Sequence, residues 1–499
     1  MLSRSAARAR TCHGVAAAAV TAVLTRRRFL GGAALAAASL CLPRAPAPAA
    51  RPQRVAVVGA GLAGLIAAFE LMRAGHTVSV FEASERAGGR IRTRRDPFGD
   101  GLYVEEGALD FGDGYTLLHR YLTELGLETQ LQSRRDGSGG CLYYLGGRLY
   151  RAPAGAEPDW PYALAPRERR LGLAGLQGQH LRARSQGLAE PFTPAAMDRA
   201  ARALDASTID ELARRDGAND AALLLLHHDF LGADFDHVSG LQELLWWRFY
   251  SRSRSWAGLR GGNERLPAAL AERLGPRLHY GARLVRLTQQ RASVRLAVAH
   301  ASGSEEVEAE RVVLALPFSL LREVQLDGSF SRGKRRAIEE LRYESATRLY
   351  LHTRTRFWQP AQPQACADTD LPVGAVFEGS AGQDGEGGIL VSESTAAASR
   401  RLSALEAGER VQLGVTQVSK VFPGLTGNFT AGGSVCWDNE PFARGAWAYY
   451  SPGQMRTHFP DVARPEGRVH FAGEHTAEVY FLEGAVASGM RAAGEINAA

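Results

Sequence analysis

The chain has 499 residues and a formal charge of +6, but residues 1–50 hold seven arginines and no acid, so residues 51–499 carry −1 once those seven are subtracted. The basic balance belongs to the leader and gives no support for a nucleic-acid or anionic-membrane partner. The length allows two or three domains around a large core, and the five cysteines (Cys12, Cys41, Cys141, Cys366 and Cys436) leave at most one disulfide beyond the leader and no metal-ligand spacing.

In the leader, Thr25-Arg-Arg-Arg-Phe-Leu30 precedes an apolar, small-residue run over 31–42 and then Ala45-Pro-Ala-Pro-Ala-Ala50. This is the layout of a secretory signal peptide. Its paired arginines resemble a twin-arginine signal, which implies export to the periplasm or beyond. The apolar run is too short to span a bilayer comfortably; an uncleaved N-terminal anchor is the alternative.

Residues 54–82 carry the clearest signal. The apolar run 55–58 reads as a buried strand, Gly59, Gly61 and Gly64 follow, residues 65–72 continue as a helix, and a second strand over 77–81 ends at Glu82. This is the dinucleotide fingerprint in its strand–turn–helix–strand setting. Gly59 permits the turn, Gly61 lets backbone approach a pyrophosphate, and Gly64 lets helix and strand pack closely. The pyrophosphate sits at the positive end of the helix, and Glu82 can accept from a ribose diol. Next, Gly88-Gly89 between Arg86 and Arg90 offers bare backbone flanked by guanidinium groups, a second wrap for a pyrophosphate.

These motifs together resemble the flavin-containing amine oxidase family, which includes monoamine, polyamine and L-amino-acid oxidases. The resemblance extends to Leu259-Arg-Gly-Gly-Asn-Glu-Arg-Leu266, to Arg311-Val-Val-Leu-Ala-Leu-Pro317, to Arg468-Val-His-Phe-Ala-Gly-Glu-His-Thr476 and to residues 481–493. It implies an α/β fold: a Rossmann-like FAD-binding domain of the GR2 type with a discontinuous α+β substrate-binding domain. On that pattern the signal is 1–50, the FAD-binding domain is built from 51–116, 256–317 and 436–499, a helical substrate-domain insertion covers 117–255, and the sheet and helices of the substrate domain cover 318–435. Within the helical insertion, Thr208 and Glu211 read as a capping box. The implied contacts to noncovalent FAD are Gly59, Gly61, Ala63, Gly64, Glu82, Ala83, Gly89, Arg90, Gly107, Ala108, Val285, Gly473, Glu474 and Leu482. The final helix would point its N-terminus at the isoalloxazine near residues 482–484. Where family members tether flavin to a cysteine, this chain has Gly445-Ala446, and Cys436 falls about ten residues early.

The implied chemistry is oxidation of an amine, with a hydride equivalent leaving the carbon that bears nitrogen and the protein supplying orientation and a dry site. Oxygen or another acceptor would complete the cycle. Tyr480 and Phe481 are the first candidates for the aromatic walls, then Trp447, with Trp437 and Tyr449 behind them. L-Amino-acid oxidases carry a carboxylate-gripping arginine where this chain has Asp110, whose charge would instead attract a cation. The family's lysine near flavin N5 is expected just before Thr369-Asp-Leu-Pro372, where Cys366 or a neighbour stands. The rivals are an L-amino-acid oxidase, a flavin desaturase or cyclase of a biosynthetic pathway, and a non-enzymatic flavin-binding protein. The partners implied are a small amine or amino acid and an electron acceptor, with a homodimer left open.

Overall fold

The computed structural model describes residues 51–99, 101–132, 141–151, 158–228, 235–328, 330–359 and 365–499, so the export signal over 1–50 lies outside the described residues. The fingerprint strand Arg54–Val58 is the centre of a five-stranded parallel sheet. Thr77–Phe81 and Arg311–Leu314 pair with it on either side, and Leu278–His279 and Val469–Phe471 close the edges. Residues 55–58 are all buried, because the sheet is covered on both faces; this is why the run reads as continuously apolar rather than alternating. Helices Leu62–Arg73 and Leu482–Asn497 pack together over one face. They approach closely at Gly489, where a Cβ would stand 2.4 Å from the Ala63 carbonyl oxygen. The four-stranded sheet containing Arg283–Gln289, Val294–His300 and Gly303–Ala309 covers the other face.

The adjoining strands Gly303–Ala309 and Arg311–Leu314 belong to two different sheets. Gly303–Ala309 carries exposed Glu305, Glu306 and Glu308, whereas Val312, Val313 and Leu314 are fully buried in the central sheet.

A second, seven-stranded sheet runs in the order Phe429–Cys436, Ala346–Thr353, Gly388–Thr395, Ala375–Glu378, Cys366–Thr369, Leu142–Leu145, Arg148–Arg151. Helix Ala407–Val421 packs on it through Val418 and Val421 against Leu349 and Leu351. The last two strands come from the stretch whose pattern reads as mostly helical. They join the sheet by parallel pairing of Ala367 with Leu142 and by the Cys141–Cys366 disulfide. The helices of that stretch follow at Pro166–Gln177, Arg199–Asp205, Ile209–Arg215, Asp220–Leu226 and Gly240–Tyr250. The capping box forms: Glu211 N–H donates to Thr208 Oγ1 at 3.1 Å, and Thr208 N–H donates to Glu211 Oε2 at 3.3 Å. Among the described residues no helix is long and apolar enough to cross a membrane.

Candidate active site

One cavity of about 690 Å³ runs from the first glycine turn, between the two sheets, to an aromatic end under helix Gly240–Tyr250. At its first end Gly59 has φ +101°, and its N–H donates to the Phe81 carbonyl at 2.8 Å. A Cβ on Gly64 would lie 1.9 Å from the Gly59 carbonyl oxygen, so Gly64 is a packing requirement and does not itself line the cavity. Gly61, Leu62 and Ala63 do line it. The helix they open has no side-chain cap, so its first N–H groups face the cavity. Glu82 accepts from Ala60 N–H at 2.7 Å and from Ser84 N–H at 2.9 Å, which fixes its carboxylate at the cavity wall beside Ala83.

The Gly88-Gly89 loop is held by Arg86, which donates to the carbonyls of Gly89 at 2.7 Å and Ile91 at 3.1 Å. Gly89 packs its Cα side against Gly61. Arg90 donates to Glu474 Oε1 at 2.8 Å and to the Ala446 carbonyl at 2.7 Å, joining the first and last segments of the chain across the cavity. Burial pushes the Glu474 carboxyl up, and Arg90 opposes the shift. Gly107 crosses directly over the Arg90 carbonyl, 1.8 Å from where a Cβ would stand, and Ala108 N–H donates to that carbonyl at 3.1 Å. Gly473, at φ +131°, donates to Ser488 Oγ at 2.9 Å. Leu482 opens the last helix with no side-chain cap and lines the cavity. Two uncapped helix N-termini, glycine backbones too close for a Cβ and the arginine-bearing loop fit an elongated dinucleotide with an anionic pyrophosphate.

The sequence-expected aromatic residues Tyr480, Phe481, Trp447 and Trp437 all line the cavity; Tyr449 does not. Trp437 is held by its Nε1–H, which donates to the Glu106 carbonyl at 3.0 Å, and by Arg92 over its ring at 5.2 Å. Asp110 also lines the cavity. It is close enough to Tyr115 to add to burial in pushing that phenol well up.

Besides Gly64 and Tyr449, two further expectations change, at Cys366 and Val285. Cys366 is bonded to Cys141 and lies outside the cavity lining, so it does not stand at the reacting centre. The buried cation that does face the cavity there is Arg348, from strand Ala346–Thr353. It donates to Glu393 Oε1 at 2.6 Å and to the carbonyls of Glu105 at 2.8 Å and Gly107 at 2.6 Å. Val285 sits at a register shift of its strand and does not line the cavity either. Gly261 and Gly262 do not line the cavity, but Asn263, which follows them, donates from Nδ2 to the carbonyls of Ala108 and Leu109, which do, both at 2.9 Å.

Sequence reasoning missed the far end. Trp246 stacks on Phe481 at 5.7 Å and on Tyr250 at 5.6 Å, and Tyr250 stacks on Trp256 at 4.2 Å. Trp246 and Tyr250 are four apart on one helix, a spacing that reads as core as readily as site. Buried Glu243 and Glu344 also face the cavity, and Tyr480 Oη–H donates to Glu243 at 3.4 Å. Cys436 is buried and thiol-bearing but not in the cavity lining. Among the described residues no group of His, Cys, Asp or Glu is arranged to hold a metal ion.

The family described as flavin containing amine oxidoreductase matches residues 62–497. YobN of Bacillus subtilis (strain 168) is 31% identical over 474 residues, spanning 89% of this chain and 95% of the relative. The L-amino-acid oxidase of Mus musculus is 29% identical, over 90% of this chain and 71% of the relative. Putrescine oxidase bound to putrescine superposes with a TM-score of 0.77 at 24% identity, covering 90% of this chain and 100% of that structure. Cyclohexylamine oxidase from Brevibacterium oxydans IH-35A superposes with a TM-score of 0.76 at 22% identity, covering 90% and 99%.

Proposed function

Because the chain belongs to the flavin-containing amine oxidoreductases, we propose that the amine it oxidises with FAD enters as a cation and carries no free α-carboxylate. The observation that carries this reading is the charge of the cavity's aromatic end: Asp110, Glu243 and Glu344 face it, and the one cation of the second sheet that faces it, Arg348, is already paired with Glu393. Carboxylates beside aromatic faces attract a cation and repel a carboxylate.

FAD, when bound, accepts the hydride equivalent from the substrate carbon. Gly61, Leu62, Ala63, Gly89 and Arg90 would hold the pyrophosphate, Glu82 a ribose diol, and Gly107, Ala108, Gly473, Glu474 and Leu482 the remainder. Ala446 lines the cavity and Cys436 does not, which supports a noncovalent flavin. Tyr480, Phe481, Trp447 and Trp246 confine the substrate and exclude water. The imine product then hydrolyses.

The L-amino-acid oxidases among the relatives support a second reading, an L-amino-acid substrate. An anaerobic flavin-reduction screen separates the two. Alkyl and arylalkyl amines should bleach the flavin, and the corresponding L-amino acids should not; the reverse pattern would overturn the proposal. Peroxide release on readmitting air distinguishes oxygen from another acceptor.

Export through the twin-arginine pathway is the companion proposal. The leader's Arg26-Arg27 pair and the Cys141–Cys366 disulfide both support it, since disulfides persist in oxidising compartments. Replacing both arginines by lysine should hold the protein in the cytoplasm; unchanged export would count against it.

A further inference from the structure

We propose that Glu344 is the base that takes the ammonium proton from the substrate, and that His237 and Asp236 carry the proton to solvent. The proposal rests on the cationic-amine reading above. An alkyl ammonium with a pKa of roughly 10 is neutral in only about one molecule in a thousand at pH 7. Its nitrogen lone pair must be free before the neighbouring carbon can release a hydride equivalent. The cavity therefore needs an acceptor for that proton and a way out for it.

Glu344 meets both needs. It lines the cavity with a side chain only 2% exposed. Its backbone is bonded to the aromatic wall: Glu344 N–H donates to the Trp447 carbonyl, and Ala446 N–H donates to the Glu344 carbonyl, both at 2.8 Å. Tyr480 lies within its field. Behind it, Glu344 Oε2 is 2.7 Å from His237 Nε2, and His237 Nδ1 is 2.7 Å from Asp236 Oδ1. The Asp236 side chain is 66% exposed. A carboxylate, an imidazole and a second carboxylate thus form a continuous hydrogen-bonded line from cavity to water. Glu243, the other buried acid of the aromatic end, meets the Tyr480 hydroxyl at 3.4 Å, a group that itself faces the cavity.

Other charged and titratable groups set the field on this line. Arg400 lies 3.6 Å from Glu344 Oε1, which also accepts from Ser345 N–H at 2.9 Å. Asp438, bonded to Ser345 Oγ, is near Glu344, as are Tyr449, which packs on His237 at 5.1 Å, and Arg342 beside Tyr449. His227 acts on Asp236, and the His237 hydrogen bond holds Asp236 below the usual carboxylate range.

The transfer is redox-neutral. One ammonium N–H bond breaks, its electron pair stays on nitrogen, and an O–H bond forms on Glu344. Glu344 passes this proton to His237 Nε2, and the imidazolium so formed, with both ring nitrogens facing carboxylates, gives its Nδ1 proton to Asp236 and so to water. Proton exchange of the partly exposed ring with water then returns the Nδ1–H tautomer and restores the starting state.

Stopped-flow measurement of anaerobic flavin reduction from pH 5 to pH 10 tests this, using whichever amine of the screen bleaches the wild-type holoenzyme fastest. Glu344→Gln should lower the second-order rate of reduction about 10²-fold at pH 7, and the deficit should close as pH approaches the amine's own pKa. A pH-indicator dye should report proton release ahead of flavin reduction in the wild type, and release no faster than the slowed flavin reduction in Glu344→Gln. His237→Ala should be slow and recover with added imidazole. An unchanged pH profile in Glu344→Gln, or a loss equal at every pH accompanied by lower FAD content and Tm, would overturn the proposal. Should Glu344→Gln fail to fold, His237→Ala decides: rescue by imidazole upholds the relay and its absence refutes it. Failure of the parent reading looks different, because no amine would then bleach the wild-type flavin.

Discussion

At Gly64 the added methyl of an alanine would stand 1.9 Å from the Gly59 carbonyl oxygen and 3.0 Å from the Ala315 side chain. Backbone cannot yield there without moving the turn proposed to hold the pyrophosphate. Gly64→Ala should therefore destabilise the protein by about 1–3 kcal/mol and lower its flavin content, read as Tm and as the flavin-to-protein absorbance ratio. Asp110 makes a different kind of prediction. Asp110→Asn keeps the shape and removes the charge, so kcat/KM for cationic amines should fall about tenfold, near 1.4 kcal/mol; a value unchanged across the amine panel would remove Asp110 from substrate selection. Both residues were legible in sequence, Gly64 from its spacing and Asp110 from its departure from the family pattern. Arg348 and Glu344 were not. A lone arginine in a strand, or a lone glutamate between two strands, reads as solvated surface, and only burial against the cavity marks these two.

At the scale of elements, the hairpin Leu142–Leu145 and Arg148–Arg151 shows where pattern reading loses its grip. It is short, lies in a stretch dominated by helices, and pairs with a strand more than two hundred residues away. The disulfide that secures it spans a sequence separation of 225. Removing it through Cys366→Ser should cost about 2–5 kcal/mol, seen as a lower Tm. Flavin reduction in the folded fraction should keep its wild-type rate, since Cys366 is outside the cavity lining. A slower rate at full flavin content would return Cys366 to the reacting centre. The helix Gly240–Tyr250 was equally opaque: its aromatic residues alternate between core and cavity, and period alone does not separate the two.

At the scale of the molecule, the segments that make the cofactor cradle are bolted together by buried polar groups. Glu105 is one bolt: its carboxyl accepts from Asn263 N–H at 2.8 Å and Thr93 Oγ1–H at 2.9 Å. Burial raises its pKa from 4.5 to about 8. The folded state therefore holds a proton that the unfolded chain releases, and this contribution to stability is lost as pH rises from about 4.5 through about 8. Glu105→Gln should gain Tm relative to wild type across that window, measured by thermal melts from pH 5 to pH 8.5; a constant difference would contradict the assignment. Because residues from widely separated stretches meet around one cavity, FAD at a hundredfold excess over its Kd should add about 2.7 kcal/mol to the apo-protein, seen as a rise in Tm on titration. By itself the sequence determined a dinucleotide-binding turn and the sheet that carries it, because glycine spacing and continuous apolar strands are local consequences of close backbone approach and double-sided burial; FAD and the reaction class followed from the resemblance of the ordered motifs to a family. Only the tertiary structure decided which cation faces the cavity, which cysteines pair and which carboxylate touches a path to solvent. Those properties arise in the pairs His237–Glu344, Cys141–Cys366 and Arg348–Glu105, which are 107, 225 and 243 positions apart, where one strand's spacing carries no information about another's neighbours.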